Sequence, residues 1–293
     1  MATTLPGISV VTPCRNAARY VAHTIESVRG QRYPQLEHVL VDGASTDGTL
    51  SAIASHRDYF HAIISERDEG MYDAINKGFA QTTGEIMAWI NADDIWLPGT
   101  LRTVGEIFAA HPQVEWISSA LPAAIDENGA MVKVNRFQGF SRRGFLDGEF
   151  LAGAGWWSPG YIQQESTFWR RSLWERAGGH VDTRLKLAGD FELWTRFFRH
   201  AELFAVDVPL GCWRRHAAQQ TSMVFEKYVT EANDVFRAEG GKPLPDAKAR
   251  RRFSLRERCP ERFRPRLAAL GVIDERPWIT YDWVSESWQV IRR

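Results

Sequence analysis

Two adjacent carboxylates, Asp93 and Asp94 in "NADDIWLP", stand at the end of an apolar run, "EIMAWI". Like charges that close cannot both be buried and ionised without compensation, because each raises the other's pKa. A divalent cation supplies that compensation. Hard oxygen ligands suit Mg2+ or Mn2+, which are held by one or two carboxylates together with the phosphates of a substrate. The bland alternative makes one aspartate a cap for the helix opening at "LPGTLRTV" and leaves the other in water.

Two more clusters accompany the pair. "VDGASTDGT", Val41 to Thr49, carries two aspartates, two glycines and three hydroxyl residues, types that also build an ordinary turn and helix cap. "SERDEGMYDAINKG" holds a charged tip followed by Tyr72, Asp73, Asn76 and Lys77. The last three share a helical face, where the ammonium can meet a phosphate or form a plain i,i+4 pair with Asp73.

The elements that must carry these clusters alternate along the first hundred residues. "ISVVTP" reads as a buried strand, "ARYVAHTIESVRGQ" as a helix with Val21, Ile25 and Val28 at helical spacing, and "LEHVLVDG" as a second strand. A short helix near "TLSAIASH", a strand in "HAIISE", a helix through "MYDAINKGFAQ" and the strand "EIMAWI" follow. This is the pattern of an α/β protein with a mostly parallel sheet flanked by helices. Every cluster then falls at the carboxyl end of a strand, the edge where such sheets bind ligands. Beyond it, "TLRTVGEIFAAHP" reads as a helix, "VEWISS" as a strand, "GAMVKVNR" as extended, "TFWRRSLWERAGG" and "AGDFELWTRFFRH" as helical, and "LFAVDVPLGCW" as a strand. Residues 139–165, rich in glycine and aromatics and without period, predict a long loop over the site. Trp156 and Trp157 there could stack on sugar rings.

Three of these segments, with "TPCRN" at the first strand, resemble the family 2 glycosyltransferases, whose nucleotide-binding fold is called GT-A. The resemblance rests on "TPCRN", "VDGASTDGT", "DEGMYDAINKG" and "NADD", is close over residues 8–110 and thinner to about 222. "YDAINKG" resembles the branch that assembles bacterial cell-surface polysaccharides. The resemblance implies a donor site for a nucleotide-diphosphate sugar, UDP-sugar by default: Thr12, Pro13, Arg15, Asn16 and Asp42 against base and ribose, the helix bearing Lys77 facing the donor, Asp93 on ribose or metal, and Asp94 as the main ligand of Mn2+ or Mg2+. Many relatives carry a second acid where this chain has Gly43, so base recognition falls to Asp42, assisted by Asp68.

"LAGDFELWTRF" matches the family pattern "GDxxLWxR" and implies Asp190 as general base. A sugar hydroxyl is a poor nucleophile until a carboxylate within reach takes its proton. One displacement without an enzyme nucleophile inverts the anomeric centre, and the metal offsets charge on the departing diphosphate. "CWRRH" matches a family segment in which an arginine or histidine approaches diphosphate or metal, marking Arg214, Arg215 and His216. "YIQQESTFWRR" matches the stretch leading from the acceptor loop, marking Gln164 and Glu165.

At 293 residues and 44% hydrophobic, the chain can bury a large core. We expect a GT-A catalytic domain over 1–221, with its donor half at 1–110 and acceptor half at 111–221, and a mainly helical, basic and Trp-rich appendage over 222–293. Zero formal net charge argues against nucleic acid as a partner. Three widely spaced cysteines argue against a disulfide framework and for a reducing, cytoplasmic setting. No leader or membrane-spanning run is expected, although "KARRRF" and "RERCPERFRPR" could hold the protein against the inner face of an anionic membrane, where a lipid-linked saccharide acceptor would lie. A non-catalytic nucleotide-sugar or glycan-binding module on the same fold is the alternative. A dinucleotide-dependent oxidoreductase is disfavoured because "TPCRN" stands where GxGxxG would be, and a nucleotidyltransferase because no glycine-rich phosphate loop is visible.

Overall fold

The computed structural model describes residues 4–151, 161–216 and 224–293, apart from the side chain of Glu261. Apolar runs become the inner strands and amphipathic segments the helices that cover them. β1 (Ile8–Cys14), α1 (Val21–Arg29), β2 (Leu36–Asp42), α2 (Thr49–Ala54), β3 (Ala62–Ser65), α3 (Met71–Phe79) and β4 (Ile86–Trp89) form the amino-terminal part. All seven residues of β1 are buried, because helices cover both faces of a parallel sheet. β1 pairs in parallel with β2 and β4, and β2 with β3.

β5 (Ile95–Trp96), α4 (Thr100–Ala110), β6 (Trp116–Ser119), β7 (Ala123–Ile125), β8 (Met131–Val134), α5 (Arg142–Leu146), β9 (Thr167–Arg170), α6 (Arg171–Arg176), α7 (Gly189–His200), β10 (Leu203–Val206) and β11 (Gly211–Arg214) follow. With β12 (Pro277–Asp282) and β13 (Ser287–Arg292) near the carboxyl terminus, the central sheet runs β13-β12-β10-β6-β9-β4-β1-β2-β3, and a second sheet runs β5-β11-β7-β8. Where a helix is expected from Thr167 onward, residues Thr167–Arg170 instead form β9, antiparallel to both β4 and β6. Phe168 and Trp169 are both fully buried, one on each face of the sheet, which a helix with one apolar stripe could not achieve.

α8 (Phe225–Ala238), α9 (Asp246–Arg258) and α10 (Arg264–Ala269) precede the hairpin β12 (Pro277–Asp282) and β13 (Ser287–Arg292). The carboxyl-terminal segment is helical up to that hairpin, whose first strand pairs in parallel with β10 and so extends the central sheet. The basic stretch is not a uniformly solvated face either. Arg252 and Arg256 are buried, and with Arg276 they pair with Asp147, Glu149 and Asp274.

Between the sheet and α7 lies an aromatic core. Trp194 of α7 meets Trp89, Trp116 and Trp169 with ring centroids 6.1, 5.6 and 5.8 Å away. Such pairs add about 0.5–1.5 kcal/mol each beyond their buried area. They fix the position of α7 and thereby of Asp190 in its first turn. The three cysteines are free, with Cys14 and Cys212 buried.

Candidate active site

The carboxyl ends of β1, β2 and β4 converge on one crevice. Asp42, the last residue of β2, is fully buried; its Oδ2 accepts from Ser65 Oγ at 2.8 Å and from Ser45 N at 3.2 Å. Asn16 sits at φ +50° and ties the loop after β1 to the loop after β2, its Oδ1 accepting from Thr46 N at 2.9 Å and its own N donating to Ser45 Oγ at 2.8 Å. Arg15 is exposed beside it and Pro13 is buried. The Thr12 hydroxyl meets His38 Nε2 at 2.9 Å inside the core, because a mid-strand side chain at that position faces the covering helices. Next to Asp42, Gly43 leaves room for Asp68, whose Oδ2 would stand 2.3 Å from a Cβ at position 43. Asp68 is held there by Gly70 N, 3.0 Å from its Oδ1.

Asp93 and Asp94 follow β4 and diverge. Asp94 is buried; its Oδ1 accepts from Arg214 N at 2.9 Å, and its Oδ2 is 3.4 Å from Asn91 Nδ2. Burial, then the charges of Asp93 and Glu165, push its pKa well above the ordinary carboxylate value. Asp93 is the more open of the two, and its Oδ2 is 2.9 Å from His216 Nε2. His216 packs on Tyr20 with ring centroids 4.8 Å apart. Arg214 is fully buried. Its buried guanidinium bonds Asp93 O at 2.6 Å, Asp126 O at 3.2 Å and His23 Nδ1 at 2.9 Å, and lies over Tyr20. It braces the turn that carries the two aspartates. Arg215 lies over Trp213. Lys77 pairs through its Nζ with Glu66 at 2.8 Å and Asp73 at 3.2 Å, the second being the i,i+4 arrangement its spacing allows. Asn76 is spent on the backbone of Val181, donating at 2.9 Å and accepting at 2.8 Å.

Beside the aspartate turn is a cavity of about 120 Å³ lined by Tyr72, Asp94, Gln164, Glu165, Asp190 and Tyr228, with Trp89, Tyr161 and Trp213 among its other walls. Asp190 stands in the first turn of α7, its Oδ1 accepting from Phe191 N at 2.8 Å. Burial outweighs that bond and raises its pKa to about 6. Glu165 is buried, its Oε1 has no hydrogen-bond partner among the described residues, and burial raises its pKa to about 8. Gln164 donates to Trp89 O. Trp156 and Trp157 lie outside the described residues. Tyr161, Trp213 and Tyr228 are site residues that sequence reasoning missed, for in sequence each is one aromatic among many.

Asp93 offers a carboxylate, the ligand type that suits Mg2+ or Mn2+, with the His216 nitrogen 2.9 Å from it. Among the described residues no three His, Cys, Asp or Glu side chains gather into a metal cage. An ion completed by substrate phosphates needs only one or two protein ligands, so the residues present fit it.

The order of strands, the antiparallel insertion of β9 and the crevice at the strand ends define a GT-A fold, and solved structures of that fold superpose on it. TarS of Staphylococcus aureus in complex with UDP-GlcNAc matches with a TM-score of 0.63 at 17% identity, over 90% of this chain and 79% of its own. The mannosyltransferase PcManGT of Pyrobaculum calidifontis, in complex with GDP-Man and Mn2+, matches with a TM-score of 0.52 at 20% identity, over 92% and 85%. In sequence, the profile of "Glycosyl transferase family 2" matches residues 9–174, and the chain belongs to that family. An uncharacterized glycosyltransferase of Nostoc sp. is 36% identical over 34% of this chain and 32% of its own length. TuaG of Bacillus subtilis, a putative teichuronic acid biosynthesis glycosyltransferase, is 34% identical over 31% and 37%. The matched stretches span about a third of these relatives.

Proposed function

We propose that the protein transfers a sugar, with inversion and with a divalent metal, from a nucleotide-diphosphate donor to a saccharide or lipid-linked saccharide in cell-surface polysaccharide synthesis. The observation that carries this reading is the placement of Asp190, a carboxylate with its pKa raised to about 6, on a cavity it shares with Asp94. TarS with UDP-GlcNAc, PcManGT with GDP-Man and Mn2+, and the teichuronic acid relative support the donor class, the metal and the setting in turn. A UDP-sugar is the proposed donor.

In this mechanism Asp42, with Asp68 and the loop of Arg15 and Asn16, receives the nucleoside. Asp93 and His216 would hold the divalent cation, Mn2+ or Mg2+, whose charge would offset that of the diphosphate. Asp190 accepts the proton of an acceptor hydroxyl as that oxygen bonds to the anomeric carbon from the face opposite the diphosphate. The C–O bond to the nucleoside diphosphate breaks in the same displacement, so the configuration inverts. Glu165, a neutral acid at neutral pH by its raised pKa of about 8, donates a hydrogen bond to a sugar hydroxyl from the buried wall. Tyr161 and Trp213 give the sugar ring apolar faces to lie on.

Among the described residues no helix is long and apolar enough to cross a membrane. The exposed Arg251, Arg258, Arg262 and Arg266, near exposed Phe263, Leu270 and Val272, support peripheral contact with an anionic bilayer.

The test is release of nucleoside diphosphate from UDP-, GDP- and dTDP-sugars, with Mn2+, Mg2+ or chelator, for the wild type and for Asp190→Asn. Metal-dependent release from one donor that is lost in the variant is the expected result. No turnover of any donor with lipid-linked saccharide extracts present would overturn the reading.

A further inference from the structure

Asp190 stands in the first turn of α7, and the amides leading into that helix have no intrahelical acceptor. Four consecutive ones are satisfied by side chains from other elements. Gly189 N donates to Tyr72 Oη of α3 at 2.9 Å. Ala188 N and Leu187 N donate to Glu231 Oε2 at 3.0 and 2.9 Å, and Lys186 N lies 3.2 Å from both Glu231 oxygens. Glu231 belongs to α8, far along the chain from α7. The same helix buries Ala232 and Phe236 and brings Tyr228 to the wall of the cavity.

We propose that Glu231 is a positioning residue for Asp190: its carboxylate caps the entry of α7, fixes where the base stands and keeps those amides from turning onto it. The proposal rests on the transferase reading for its kinetic part only. A carboxylate that accepts extra N–H bonds becomes a weaker base, and the helix amino terminus carries positive charge that favours the ionised form. By accepting these amides and setting a negative charge beside the turn, Glu231 opposes both effects. The groups facing Asp190 are Tyr72 from α3, Tyr161 and Glu165 from the segment before β9, and Tyr228 from α8, with Glu231 acting on Tyr72 beside them. On its own helix, Glu192 is taken up by Arg196 at 2.7 Å. Glu231 is the one carboxylate in this group bonded to the backbone leading into α7. The carboxyl-terminal segment is then a working part of the active site.

Glu231→Ala and Glu231→Gln in the full chain test this. In the alanine variant, hydrogen exchange at residues 186–189 should accelerate and kcat should fall about 100-fold, the cost of displacing a catalytic group by roughly 1 Å, with KM for the donor unchanged. The glutamine variant still accepts through its amide oxygen, so it should keep most of kcat, while the acid limb of its kcat profile moves to lower pH because the negative charge is gone. Wild-type kcat with wild-type exchange in the alanine variant overturns the proposal, as does a loss confined to donor KM. Should the alanine variant not fold, the glutamine variant decides, since an unmoved acid limb overturns the proposal. The exchange measurement needs no turnover, so a protein that transfers no sugar would sink the transferase reading while leaving the cap to be judged by itself.

Discussion

Asp93 Oδ2 and His216 Nε2 meet at 2.9 Å across 123 positions of the chain. Nothing else in the aspartate turn is as open to an ion, since Asp94 is buried and bonded by Arg214 N. The resemblance implies Asp94 as the main ligand, and the geometry favours Asp93 with His216. We expect Asp93→Ala and His216→Ala each to weaken Mn2+ binding at least about tenfold in the presence of UDP, read from free Mn2+ by electron paramagnetic resonance. Unchanged affinity in both variants would remove the pair from consideration.

The raised pKa of Asp190 fixes the sign of the pH dependence. A base must be ionised to accept a proton, so kcat should be level above about pH 6 and fall about tenfold per unit below it. Stability runs the other way. The folded group holds its proton up to about pH 6 and the unfolded one only to 3.8, so its contribution falls as pH rises through that window. Asp190→Asn, with no charge to bury, should melt no lower than the wild type at pH 7.5 while losing about 100-fold or more in kcat. A clear drop in Tm would make the residue structural instead.

These two residues mark what the sequence could and could not disclose. Asp93 and Asp190 stand out because each sits where a strand or helix pattern meets a carboxylate, and local pattern places them at an edge. Glu231 and Tyr228 do not, for they lie on an ordinary amphipathic helix and gain meaning only when α8 docks against α7. Thr167–Arg170 reads as helical because short apolar runs have no decisive period; only β4 and β6, distant in sequence, make them a strand. The basic stretch misleads similarly, since charge alone cannot say that Arg252 and Arg256 turn inward to acids on another element.

Gly43 and Asp68 form a matched pair, and this predicts an asymmetry. In Gly43→Ala the new Cβ would displace the Asp68 carboxylate, which should weaken nucleotide binding with little change in Tm. Gly43→Asp combined with Asp68→Gly moves the carboxylate onto the loop after β2 and should recover part of the lost affinity. Equal nucleotide affinity of Gly43→Ala and wild type, measured by calorimetry, would show that Asp68 takes no part.

Arg276 lies buried between Glu149 and Asp274, 2.6 and 3.2 Å from their oxygens, and so joins the edge hairpin to the segment after α5. Burial alone would push Asp274 up, yet Arg276 and Arg256 hold it well below the usual carboxylate range. Glu149 is lowered against its burial by the same two arginines. Removing one partner of such a network leaves buried charge uncompensated, at a cost of about 3–5 kcal/mol. Arg276→Met should therefore lower Tm by roughly 5–10 °C at pH 7. Both acids are depressed on folding, so the stability they contribute is present above about pH 4 and is lost as pH falls through their folded values. The gap between variant and wild type should narrow on acidification, because protonated acids no longer need the arginine. A gap that stays constant from pH 7 to pH 3 would place the cost in lost packing of the Arg276 side chain and not in its charge.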